Sequence, residues 1–62
     1  MREAQKDNNN RLIGYFDEQA NGDIKVYGHN SRFRGTATDE GTFDHNHRRI
    51  SQSKIPGLLL ED

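Results

Sequence analysis

Apolar side chains in this chain fall in short clusters separated by glycine and asparagine, and no stretch between Arg11 and Ser53 keeps a helical period. The run RLIGYFDEQ leads into Ala20-Asn21-Gly22-Asp23 and then IKVYG. Asn-Gly between two β-prone runs predicts a hairpin, because a type I′ turn needs positive φ at both central positions. With Asn21 and Gly22 at the centre, Glu18 falls opposite Lys25 and Phe16 opposite Tyr27. An opposite-charge pair and an aromatic pair thus follow from a register chosen by the turn alone.

The next run, RFRGTAT, has period two. Phe33, Gly35 and Ala37 share one face, and Arg32, Arg34, Thr36 and Thr38 share the other, as in a half-buried strand. Asp39-Glu40-Gly41 turns the chain, residues 42–44 form a short strand, 45–47 a turn, and 48–51 a further strand with Ile50 inward. Pro56 ends regular pairing near Ile55. Leu58-Leu59-Leu60 is too short to stand as a helix and has to pack on its own sheet or on a partner's. Residues 1–10 lack any alternation and end in three asparagines, which predicts a disordered tail. The expected organisation is a tail over 1–10, one small β domain over 11–60 and an acidic end at 61–62. Its fold class is all-β, a small antiparallel meander of two or three hairpins.

Length changes this picture in one respect. Sixty-two residues without cysteine have few large apolar side chains and no disulfide or thiolate zinc site to staple them. Association of two chains is the remaining source of buried area, so a homodimer is expected, formed by exchange of strands or of the leucine tail. Its interface would involve Ile55, Leu58, Leu59 and Leu60. A formal charge of −1 selects no class of partner. The distribution is uneven: residues 24–54 hold six basic and three acidic side chains, and residues 1–23 hold three and five. No apolar run is long enough for a membrane span, and the N-terminal stretch has no apolar signal segment, so no membrane partner and a cytoplasmic location are expected.

A short unit occurs twice. YGHNSR at residues 27–32 aligns with FDHNHR at 43–48, matching aromatic, His, Asn and Arg. Asn30 and Asn46 suit tight turns, since asparagine tolerates the left-handed region and bonds nearby backbone. On this reading Tyr27 and Phe43 supply core, and the stems of Arg32 and Arg48 cover the following strands. IGYFDE, these hairpin units and a leucine-rich end together resemble the small β-flower and domain-swapped β-hairpin proteins of bacteria. That resemblance covers roughly residues 11–60 and implies an all-β fold, often dimeric, with no assigned biochemistry. The chain departs from the family's Asp-x-x-Gly-Arg pattern at Gly28-His29-Asn30-Ser31-Arg32 and Asp44-His45-Asn46-His47-Arg48, and no family site residues carry over.

Candidate chemistry is sparse. His45-Asn46-His47 spells part of a nuclease motif, but such residues must be spread over two strands and a helix to hold one metal, so the lettering carries no catalysis. His45 and His47 would share a strand face, and His29 could join them as a third metal ligand with Asp44 behind. Exposed turn histidines are the plainer reading. Asp17, Gln19, Asn21 and Gly22 imitate an EF-hand start, but Gly28 stands where its closing glutamate belongs. No nucleophile lies within a base-and-carboxylate arrangement, and no enzyme activity, catalytic residue or cofactor is expected. The primary expectation is a structural or protein-interaction module. The alternative is a single-strand nucleic-acid binder using Arg32, Arg34, Arg48 and Arg49, with Tyr27 for stacking.

Overall fold

A computed structural model describes residues 2–60. It is all-β: six antiparallel strands in one open sheet, in the order in which they occur along the chain. These are β1 (Arg2–Lys6), β2 (Leu12–Glu18), β3 (Ile24–Gly28), β4 (Phe33–Thr38), β5 (Gly41–Asp44) and β6 (Arg49–Ser51). A single 3-10 turn, η1 (Pro56–Leu60), follows. Every connection joins neighbours, so the β1–β2, β3–β4 and β5–β6 turns lie at one end of the sheet, and the β2–β3 and β4–β5 turns at the other.

The predicted tail is therefore corrected in part. Arg2–Lys6 pairs with β2 as an edge strand, Glu3 opposite Phe16 and Gln5 opposite Gly14. Its side chains are almost all exposed, so backbone hydrogen bonds hold it with little apolar alternation to announce it. The acidic end at 61–62 lies outside the described residues.

Four of the five turns have the same build. In each, a first residue's N–H bonds the carbonyl four residues on, and the fourth residue's N–H bonds back to the first carbonyl. The distances are 3.0 and 3.0 Å for 7–11, 2.7 and 3.0 Å for 19–23, 2.7 and 2.9 Å for 28–32, and 2.9 and 2.9 Å for 44–48. The fourth residue is left-handed throughout: Asn10 (φ 62), Gly22 (φ 93), Ser31 (φ 66) and His47 (φ 63). This is the three-residue hairpin, a type I turn closed by one left-handed residue. Two expectations change with it. Only Gly22 takes positive φ in the second turn, so the two-residue loop at Asn21-Gly22 becomes three residues and the register moves by one. Glu18 faces Ile24, Asp17 faces Lys25, Phe16 faces Val26 and Tyr15 faces Tyr27. Likewise Ser31 and His47, not Asn30 and Asn46, occupy the left-handed positions. The asparagines sit one place earlier, where Asn30 Oδ1 accepts the Arg32 N–H at 3.2 Å.

Three of these turns form a repeat: Asp7-Asn8-Asn9-Asn10-Arg11, Gly28-His29-Asn30-Ser31-Arg32 and Asp44-His45-Asn46-His47-Arg48. In the outer two, aspartate Oδ1 accepts two backbone N–H groups, from Asn9 and Arg11 at 2.8 and 2.9 Å and from Asn46 and Arg48 at 2.9 Å each. Each turn is followed, two residues past its arginine, by a β-bulge at which the register skips Ile13, Arg34 or Ile50. The bulge at Arg34 breaks the alternation expected for β4. Phe33 pairs with Tyr27, their rings edge-on at 5.7 Å, while Gly35 and Ala37 keep to the opposite face. Ile50, expected inward, is exposed for the same reason.

The core is one-sided. Gly14 and Gly35 leave troughs in the sheet that leucines of η1 fill: a Cβ on Gly14 would meet Leu60 Cδ2 at 2.5 Å, and one on Gly35 would meet Leu59 Cδ2 at 2.8 Å. Leu59, Val26 and Ala37 are the buried apolar side chains of the described residues. Thr42, fully buried, ties the connection before η1 to the sheet: its Oγ1 donates to Ser53 O at 2.7 Å and accepts from Ile55 N at 2.8 Å. The leucine tail thus packs on its own sheet, one of the two placements expected for it, with Leu59 buried and Leu58 and Leu60 half-buried. Ile55 remains largely exposed.

Candidate functional site

Register and pleat divide the side chains into two faces. Gly14, Val26, Gly35, Ala37 and Thr42 stand beneath or beside η1. The other face carries Tyr15, Tyr27, Phe33, Thr36 and Phe43, and no element of the described residues covers it. Arg2 arches over it from the edge strand, its guanidinium carbon 5.4 Å from the centre of the Tyr15 ring and 4.7 Å from that of Tyr27. Those distances place the cation on both rings, the attraction expected of a guanidinium over an aromatic face. Tyr27 therefore faces its own chain's cation, and Phe33, beside it, is 37% exposed.

Charge is sorted along the strands. Around the three repeated turns lie Lys6, Arg11, Arg32, Arg34, Arg48 and Arg49, against Asp7 and Asp44. Toward the other end lie Glu3, Asp17, Glu18, Asp23, Asp39 and Glu40, against Arg2, Lys25 and Lys54. Lys54 is held there by a 2.6 Å bond to Gly22 O and a 3.9 Å approach to the exposed Asp39 carboxylate. One end of the sheet is basic and the other acidic, although the whole chain is nearly neutral.

At the basic end, the β3–β4 and β5–β6 turns and η1 enclose an open cleft of ≈ 560 Å³. His29, Asn30, Arg32, Arg34, Asp44 and His45 form its polar wall, and Phe33, Leu58 and Leu59 its apolar floor. The hairpins return His29 and His45 to the same cleft because equivalent positions of successive repeats share an end of the sheet. His47 is not part of it, and the described residues contain no group of three His, Asp or Glu able to hold a metal. The three histidines weighed as ligands are thus divided two and one. Asp44 is the acid in the wall. Its carboxyl is held below its ordinary value chiefly by the Arg48 backbone N–H, with the Asn46 N–H, His45 and the Arg48 charge assisting and desolvation opposing.

No family model, curated protein or solved structure matches this chain. The reading of its surfaces therefore rests on their geometry. Of the residues proposed for nucleic acid, Arg32 and Arg34 border the cleft beside Leu58 and Leu59, and Tyr27 stands on the uncovered face with its ring 5.7 Å from that of Phe33. Arg49 lies over Gly41, where a Cβ would meet its Cδ at 3.1 Å, and Arg48 closes its exposed turn. The third repeat, at residues 7–11, escaped the sequence reading because it lies in the polar stretch. The signal was there in Asn9-x-Arg11 and in Gly14, which stands as far beyond Arg11 as Gly35 does beyond Arg32.

Proposed function

We propose that the protein is a self-associating β-sheet module, a structural or interaction unit whose working form is a homodimer closed through the uncovered aromatic face. The observation that carries this is the thinness of the core. Val26, Ala37 and Leu59 are buried, while Leu12, Ile13, Phe33, Ile50 and Ile55 each keep more than a third of their surface in water. The accessible surface is 4568 Å², against about 4,100 Å² for a compact monomer of this mass. A stable pair buries about 800 Å² on each partner, under a fifth of what this chain exposes.

The occupant is a second copy because the charge pattern complements itself. A two-fold axis between the sheets and perpendicular to the strands lays each basic end over the partner's acidic end, with Tyr15, Tyr27, Phe33 and Phe43 stacked between. Near-neutral copies also meet without net repulsion. Exchange of the leucine tail has less support, since Leu59 and Leu60 already fill their own sheet's troughs.

Thr36 stands in the middle of this face, opposite Lys25 on one side and Phe43 on the other. Thr36→Glu gives the monomer an ion-pair partner at Lys25 but buries a carboxylate in the dimer. Light scattering should find a dimer for the parent chain and a monomer with unchanged β circular dichroism for T36E. An unaltered dimer in T36E would refute this interface.

A further inference from the structure

The geometry points to the cleft at the basic end as a binding site for a small phosphate monoester, its phosphate held by Arg32, His29 and His45 and its apolar body resting on Phe33, Leu58 and Leu59. The cleft opens beside η1, and Phe33 at its rim is the one lining residue it shares with the face of the proposed dimer.

Three features carry the inference. The first is size: ≈ 560 Å³ lies within the range of small-molecule sites, and the lining is mainly polar, as suits a charged ligand. Charge is the second. Two guanidinium groups, two imidazoles and an amide line the wall, against the one carboxylate of Asp44. That carboxylate is already engaged, its Oδ1 accepting the Asn46 and Arg48 N–H groups at 2.9 Å each. Its negative charge serves the turn and leaves the wall's balance positive.

The third is donor number. The three terminal oxygens of a phosphate monoester offer these donors more acceptor sites, and more charge, than the two of a carboxylate. Arg32 offers a planar fork suited to two of those oxygens. His29 and His45, at equivalent positions of successive repeats, reach the same space from neighbouring turns. The backbone fixes this arrangement: Asn30 Oδ1 pins the Arg32 N–H at 3.2 Å, and the left-handed Ser31 and His47 close the turns that carry the two imidazoles. Repetition of the hairpin thus supplies convergence that neither turn has alone.

The test is a titration of the full chain with phenyl phosphate, followed by amide and side-chain NMR shifts, with phenol, benzoate and inorganic phosphate as comparison ligands. Phenyl phosphate should bind most tightly, with shifts concentrated at residues 29–34, 44–45 and 58–59. Arg32→Gln and His45→Gln should each weaken it about tenfold, the loss of one charge-assisted hydrogen bond. Arg11→Gln, at the same end but outside the cleft, should leave it unchanged. Equal weakening by R11Q would overturn the site in favour of diffuse attraction to the basic end. So would benzoate binding as tightly as phenyl phosphate, an unphosphorylated single-stranded oligonucleotide producing the same shifts more strongly, or no shift at about 5 mM phenyl phosphate, roughly the weakest affinity that counts as recognition.

Discussion

Replacing Gly35 by alanine places a methyl group where the sheet has no room. A Cβ there would drive into the carbonyl oxygen of Phe43 on the neighbouring strand and lie 2.8 Å from Leu59 Cδ2 and 3.0 Å from Asp44 Cα. Two of those three atoms are backbone and cannot rotate away. Gly35 also has φ 152, a conformation side chains rarely adopt. Overpacking of this kind costs about 1–3 kcal/mol, and a strained backbone about 1–3 kcal/mol more. In a domain of this size each kcal/mol lowers Tm by about 4–8 °C, so Gly35→Ala should melt at least about 10 °C below the parent chain. Circular dichroism on heating reads this directly. Gly57→Ala is the control: no atom lies within 4 Å of its Cβ position, and it should melt at or slightly above the parent temperature. Adding Leu59→Ala to Gly35→Ala should give no rescue, because the tightest contact is with the β5 backbone. A G35A chain melting within about 2 °C of the parent, a fraction of one kcal/mol, would refute the account of how η1 and β5 close on that glycine.

Other consequences follow from the same contacts. Thr42→Val keeps the shape but leaves Ser53 O and Ile55 N without their partner, so urea unfolding should show a loss of about 1–3 kcal/mol. Ser31→Gly and His47→Gly relieve left-handed residues and should each stabilise the chain by about 1 kcal/mol in the same assay, with a smaller gain for Asn10→Gly because asparagine tolerates that region. The folded Asp44 carboxyl lies below its ordinary value of 3.8, so its contribution is complete above that pH and fades as pH falls through the lowered folded value. Urea titrations between pH 2 and 6 should therefore show a shallower acid loss in Asp44→Asn than in the parent chain.

Much of the meander was readable in the sequence because its inner strands carry their own pattern. Ile24, Val26 and Tyr27 in β3, the glycine–alanine alternation of β4 and the Asp39-Glu40-Gly41 turn all follow from local chemistry. The first strand was not readable, since Arg2–Lys6 is held by backbone pairing on an exposed edge and its side chains say nothing of burial. The β2–β3 register slipped by one because Asn21-Gly22 fits a two-residue and a three-residue turn equally well, and the deciding Gln19–Asp23 bond is invisible locally. Bulges at Ile13, Arg34 and Ile50 moved side chains between faces, which no period-two pattern foretells. The cleft needed both: His29 and His45 meet only when the turns share an end, and Arg34 joins them only because of its bulge.

Self-association is the claim on which the proposed function depends, and sedimentation equilibrium of the parent chain tests it without any substitution. Across micromolar to millimolar loading the weight-average mass should rise from 7.1 kDa toward twice that value and stop there, as an isologous pair requires. A well-folded chain that stays at 7.1 kDa throughout would contradict the proposal.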